Sequence, residues 1–241
     1  MEIHKPKPVH NWREFLKEYA IIVVGVLTAL CAEQAVETLH EHSRAAEARI
    51  DIHAEIARNL TYMNIRNANE ACVSRRLDEI DGLIAASAAG NLPPDPIWIG
   101  QALGLIMHDG KYKAATQSGS VSLFSNEEQG IYTDLYAMFD TYWEQAVRER
   151  AVWADLRTLE KHPPPSAVLD WQLRSAVQKA RAARWSIELT RIVAIRDAAR
   201  IGVTSPGEAN GPKLSVCLPL HTPRAEALKL AAQPGFNLDE P

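Results

Sequence analysis

The sequence predicts an all-α protein: a single N-terminal transmembrane helix that continues into an extracytoplasmic helical bundle of three to four long helices. Three observations carry this. Residues 19–32, YAIIVVGVLTALCA, are uncharged. Between Asn11 and Ile80 there is no proline, and Gly25 is the sole glycine. Two later stretches, 126–161 and 166–201, run from a helix-starting residue to a proline or glycine stop.

Asn11 followed by Glu14 has the spacing of a capping box and predicts a helix start ahead of the apolar run. The fourteen uncharged residues, Tyr19 to Ala32, rise only about 21 Å as a helix, short of the roughly 30 Å of bilayer hydrocarbon. Their flanks extend them. Arg13 and Lys17 can snorkel, and Trp12, Phe15, Leu16 and Tyr19 place aromatic and apolar area at headgroup level, so the usable span becomes 15–36. Within it, IIVVGVL at 21–27 is apolar on every helical face, which suits lipid rather than a one-sided core. A cleavable signal fits less well, because Leu30-Cys31-Ala32 puts a large residue where cleavage needs a small one. A buried core helix remains the third reading.

Lys5, Lys7, Arg13 and Lys17 precede the run, and Arg44 and Arg49 follow it. This bias places residues 1–14 in the cytoplasm and residues 37–241 across the membrane. About 18 residues precede the uncharged run, too few for a cytoplasmic output domain, so any signal would pass through a partner.

Beyond the span, Ile52, Ile56, Leu60 and Met63 form one apolar stripe and Val73, Leu77, Ile80 and Ile84 another, with polar NIRNAN at 64–69 between them predicting a kink. AGNLPPDP at 89–96 reads as a loop, with Asp95 capping a short helix from Pro96 to His108. A second short helix is expected over 111–118, stopped by Gly119. Ser125 and Glu128 form a capping box for a helix reaching Lys161, where His162-Pro-Pro-Pro ends it, and the last long helix closes at Gly202. Residues 204–241 read as an irregular tail in which KLSVCLPL, 213–220, is extended and one short helix follows His221.

Candidate sites are few. Tyr132, Tyr136 and Trp143 belong to an aromatic helix and could line a ligand cleft between helices, although a packed core would look the same. Glu37 and His40 have the Glu-x-x-His spacing of di-iron bundles, but no second copy exists, so a solvated acidic face is expected and no metal or other cofactor is assigned. The serine-rich SGSVS at 118–122 does not match the Gly-x-Ser-x-Gly of a nucleophile elbow, no strand precedes it, and it reads as a turn. No catalytic residue is assigned. In an oxidising periplasm Cys72 and Cys217 should pair, leaving Cys31 in the span as a free thiol. A net charge of −4 gives no basic field for nucleic acid. The partners expected are the lipid bilayer, other membrane or periplasmic proteins, and a second copy through residues 19–40.

The pattern W-R-E-F-L-K-E-Y-A-I-I-V-V-G-V-L, beginning at Trp12, together with S-G-S-V-S-L-F-S-N-E-E-Q-G-I-Y-T-D-L-Y at 118–136, resembles a family of bacterial inner-membrane proteins. They have a short N-terminal span and a helical extracytoplasmic domain. No activity is attached to that family, so the resemblance implies an anchor and carries no catalytic residue. The reading that follows is a membrane-anchored structural or accessory protein, with a small-molecule sensor as the alternative and an enzyme last.

Overall fold

A computed structural model describes residues 12–102, 106–204 and 215–231. Among the described residues the secondary structure is entirely helical: α1 (Trp12–Ala68), α2 (Glu70–Ala88), α3 (Gly110–Gln117), α4 (Asn126–Leu156), α5 (Ala167–Arg200) and α6 (Arg224–Ala231), with short 3-10 turns between them. The expected capping residue Asn11 lies outside the described residues.

Helix α1 has two unlike halves. Through residue 44 the described side chains are exposed except for half-covered Val23 and Glu41, so about 50 Å of helix projects from the rest of the molecule. Within that projection an 18-residue window has mean hydropathy 1.9 and none of it is buried. The helix is therefore long and apolar enough to cross a membrane. Thr28 returns its hydroxyl proton to the Val24 carbonyl at 2.8 Å, so its polar group is satisfied without water. Phe15 and Tyr19 stack with centroids 6.3 Å apart near the N-terminal end of α1.

From Ala45 onward α1 acquires a buried face. Ile52, Ile56, Leu60 and Met63 are fully buried on it, as the stripe predicts. The expected kink falls at Asn69, and its cause is local. The Asn69 side-chain amide donates to the Ile65 carbonyl at 2.9 Å, while its backbone N–H turns to Arg66 O at 3.2 Å. A side chain has replaced the backbone donor four residues on, which is how asparagine disrupts a helix interior. Helix α2 then carries Val73, Leu77, Ile80 and Ile84 inward, passes Gly82 without stopping, and ends before Gly90, whose φ of 70° suits glycine.

Two cores result. The lower one joins the second half of α1 to α3, the start of α4 and the end of α5; the upper one joins α2, residues 97–102, the end of α4, the start of α5 and Val216. Helix α4 therefore climbs from lower to upper core and α5 returns, packed along it. With α1 and α2 as a bent third rod that also climbs from the lower core to the upper, this is an up-up-down bundle, the chain returning to the lower end between α2 and α3. The Ser125–Glu128 capping box forms in full: Ser125 Oγ accepts from Glu128 N at 3.2 Å, and Ser125 N donates to Glu128 Oε2 at 3.1 Å. Helix α4 tightens to 3-10 geometry over Arg157–Lys161 and stops at His162, as the Pro-Pro-Pro run requires.

One expected element does not form. The described residues between Pro96 and His108 are not helical. Ile97, Trp98 and Ile99 are buried in succession, which a helix with one inward face does not allow. Their backbone groups are satisfied from elsewhere: Trp98 N–H donates to Leu220 O at 2.7 Å and Ile99 N–H to Glu160 Oε1 at 3.0 Å. At Gly100, φ is 70° and an added Cβ would stand 2.9 Å from Ser215 O, so only glycine fits. The segment expected to be extended, 213–220, is described from Ser215; there a 3-10 turn over Ser215–Cys217 precedes the chain that meets Trp98.

Candidate functional site

Three polar constellations stand on this frame. The first closes the upper end. The Cys72 and Cys217 sulfurs are bonded, with their Cα atoms 4.9 Å apart, tying α2 to the late turn. One helical turn on, Arg76 is 1% exposed among apolar neighbours. Its guanidinium donates to the carbonyls of Trp98, Ile99 and Leu218 and to Glu79 Oε2 at 2.7 Å. Burial pulls its pKa down, with the Glu79 carboxylate opposing. The guanidinium carries five donors in a rigid fork, so one arginine saturates two segments that form no ladder with each other.

The second lies between the cores. Arg66 and Glu149 are both buried and meet at 2.8 Å, and Arg66 also reaches Glu70 at 3.0 Å, which Arg184 of α5 contacts as well. Burial raises the pKa of Glu149 while Arg66 opposes it by favouring the carboxylate. The pair joins the top of α1 to the last third of α4 and fixes their axial register.

The third sits at the lower end. Glu55, on the inner face of α1, accepts from the backbone N–H groups of Lys111 and Tyr112 at 2.9 and 3.2 Å and from the Tyr136 hydroxyl at 2.6 Å. A carboxylate from α1 thereby caps the positive end of α3. Asn59 exchanges two hydrogen bonds with the backbone of His108, at 2.7 and 2.9 Å, holding the returning chain against α1. Nearby, His53 Nε2 lies 2.8 Å from the Tyr132 hydroxyl, and Arg49 pairs with Glu128 at 2.9 Å while resting over the Phe124 ring at 4.6 Å. Burial lowers the pKa of His53, and Arg49 adds to the effect. Burial, with the Glu128 charge adding to it, pushes the Tyr132 pKa up to about 12.

Tyr132 and Tyr136 meet in this lower constellation. Both are buried, Tyr112 stacks on Tyr136 at 4.3 Å, Phe139 meets it edge-on at 5.6 Å, and Phe124 packs near Tyr132 at 5.6 Å. Side chains of the protein itself thus cover these ring faces. Trp143 lies apart, half-exposed, with the Arg150 guanidinium 5.6 Å over its ring. Glu37 and His40 are both exposed. Among the described residues no group of three or more His, Cys, Asp or Glu side chains is placed to hold a metal.

The sequence reading missed Arg76, Arg66, Glu149 and Glu55, yet Arg76 and Glu55 each leave a signal. Arg76 falls at helical spacing between Val73, Leu77 and Ile80, and Glu55 between Ile52 and Ile56. A charge inside an apolar stripe marks a buried partner to be found. Compared with known proteins, the chain matches no family model, no curated sequence and no solved structure.

Proposed function

We propose that this chain is a single-pass membrane protein of the bacterial inner membrane, anchored by residues 15–36, with its N-terminus in the cytoplasm and residues 37–241 in the periplasm. There it acts as a structural or accessory protein through other membrane or periplasmic proteins. The observation that carries the reading is the continuity of α1. One helix runs from an uncovered apolar stretch to the fully buried Ile52, Ile56 and Leu60 with no hinge between. An anchor of this kind would hold the bundle at a set height, because residues 37–44 add about 12 Å of helix above the span.

The three polar constellations support a scaffold. Each joins separate segments of this chain, and their donors and acceptors are directed at one another. Photocrosslinking in intact cells from exposed positions outside α5, such as Glu144 and His40, tests the reading. A recurrent protein captured from the bundle is expected. Absence of any protein adduct, or a small molecule that co-purifies tightly with the bundle, would replace it with the sensor reading.

A further inference from the structure

The outward side of α5 bears an apolar stripe that the bundle does not use. Starting at Val168 and stepping alternately three and four residues, the stripe passes Trp171, polar Ser175 and Gln178, then Ala182, Trp185 and Leu189 to Ile192. This is the spacing of a coiled-coil seam. Trp171 and Trp185 are 69% and 70% exposed, and Val168, Leu189 and Ile192 are exposed with them. The inward face of the same helix is separate and complete, with Leu173, Val177, Ala180 and Ala194 buried in the cores. A helix apolar on two sides has a second surface to cover.

We infer that the occupant is a second copy of this chain, the two α5 helices lying side by side across a twofold axis. The charges flanking the stripe argue for self-pairing. Arg174 is paired with Asp170, Arg181 with Asp78 and Asp81, Arg184 with Glu70, and Arg191 with Glu188. With these arginines neutralised inside each copy, Lys179 alone among the described residues adds an unpaired cation beside the stripe, so two copies meet with little like charge between them. A strongly acidic partner would find few free cations to recognise.

The area is also sufficient. Two tryptophans at this exposure would remove roughly 300 Å² per copy from water, and the three aliphatics bring the stripe into the range of about 300–600 Å² typical of functional patches. Doubled and joined by the polar flanks, this reaches the roughly 1,200 Å² at which stable interfaces begin. Small Ala182 near the middle of the stripe lets the helices approach. This pairing is independent of α1 and of whether it crosses a bilayer.

The test is the mass of the full chain in detergent by light scattering, with the protein mass separated from the micelle, for the parent and for Trp171→Glu/Trp185→Glu. Both sites are exposed, so unchanged helical circular dichroism is expected of the variant. The parent should show twice the chain mass and the variant the chain mass. In a Cys31→Ser background, Ala182→Cys should crosslink between copies with a short bismaleimide, whereas Glu144→Cys should not. A monomeric parent overturns the proposal. So does a variant that remains dimeric, which would assign the contact to residues 19–40, and so does a crosslink from Ala182→Cys to a different protein only.

Discussion

Cys72 and Cys217 are joined by a disulfide across 145 residues of sequence, so the first turn of α2 and the last described segment form one cross-linked end of the bundle. A loop of that length should contribute about 5 kcal/mol by restricting the unfolded chain. Cys217→Ser is expected to lower the midpoint of thermal unfolding by roughly 10–20 °C, on the scale of about 2–4 °C per kcal/mol for a domain of this size. Calorimetry of the oxidised protein beside the variant measures this. Equal midpoints would mean that the upper end is held by packing and Arg76 alone.

Arg76 is the second fastener of that end. Replacing it with Met leaves the Trp98, Ile99 and Leu218 carbonyls without their donor in a dry setting, a loss of about 3–5 kcal/mol by analogy with broken buried charge networks. Limited proteolysis should then cut within 96–102 or 215–222 while α4 and α5 stay intact. Arg76→Met with unchanged protease resistance would show that the bonds from Trp98 N–H and Ile99 N–H suffice.

The Arg66–Glu149 pair predicts a marked asymmetry between single and double substitution. Arg66→Met strands the buried Glu149 carboxylate and should destabilise the fold by about 3–5 kcal/mol, whereas Arg66→Met/Glu149→Leu should recover much of that loss. Urea unfolding of the three proteins and of Glu149→Leu, read as a double-mutant cycle, gives the coupling. Additive losses would contradict a pairing of these two charges.

His53 gives the lower end a pH dependence. Its folded-state pKa lies below the ordinary 6.5 because burial and Arg49 disfavour the imidazolium, with the Glu128 carboxylate opposing. The unfolded chain therefore binds the proton more readily. Stability contributed by neutral His53 is present above the unfolded pKa of about 6.5 and is lost as pH falls below it toward the folded value. His53→Gln, which can still bond to Tyr132, should flatten the stability profile between about pH 7 and 5, as followed by urea unfolding across that range. Glu128 is shifted down chiefly by its bond to Arg49, so its contribution persists above about pH 4.5 and fades only below that.

Most of the helical frame was legible because it rests on local rules. The Ile52 to Met63 and Val73 to Ile84 stripes, the Ser125–Glu128 box, the stop at His162 and the break near Asn69 each need only neighbours in sequence. The segment after Pro96 was not legible for the opposite reason. Its apolar residues are compatible with a helix, and what draws them straight is Leu220, Ser215, Glu160 and Arg76, all remote in the chain. The cysteine pairing was reachable because the topology expected from the flanking charges put two of the three thiols on one side of a membrane and the third within the span. Tyr132 and Tyr136 were found as neighbours, but that Tyr112 and Phe124 would cover their rings depends on how α3 folds back over α4. The stripe on α5 was hidden by the arginines interspersed with it, whose pairing with acids on α2 (Arg181, Arg184) and on α5 itself (Arg174, Arg191) takes the fold to see.

The central claim is that α1 carries the chain across a membrane once, from cytoplasm to periplasm. The most direct measurement is a pair of fusions after residue 241, alkaline phosphatase in one and a cytoplasm-dependent fluorescent protein in the other. The account predicts active phosphatase with a dark fluorescent protein, both associated with carbonate-washed membranes. A bright fluorescent protein with inactive phosphatase would contradict it.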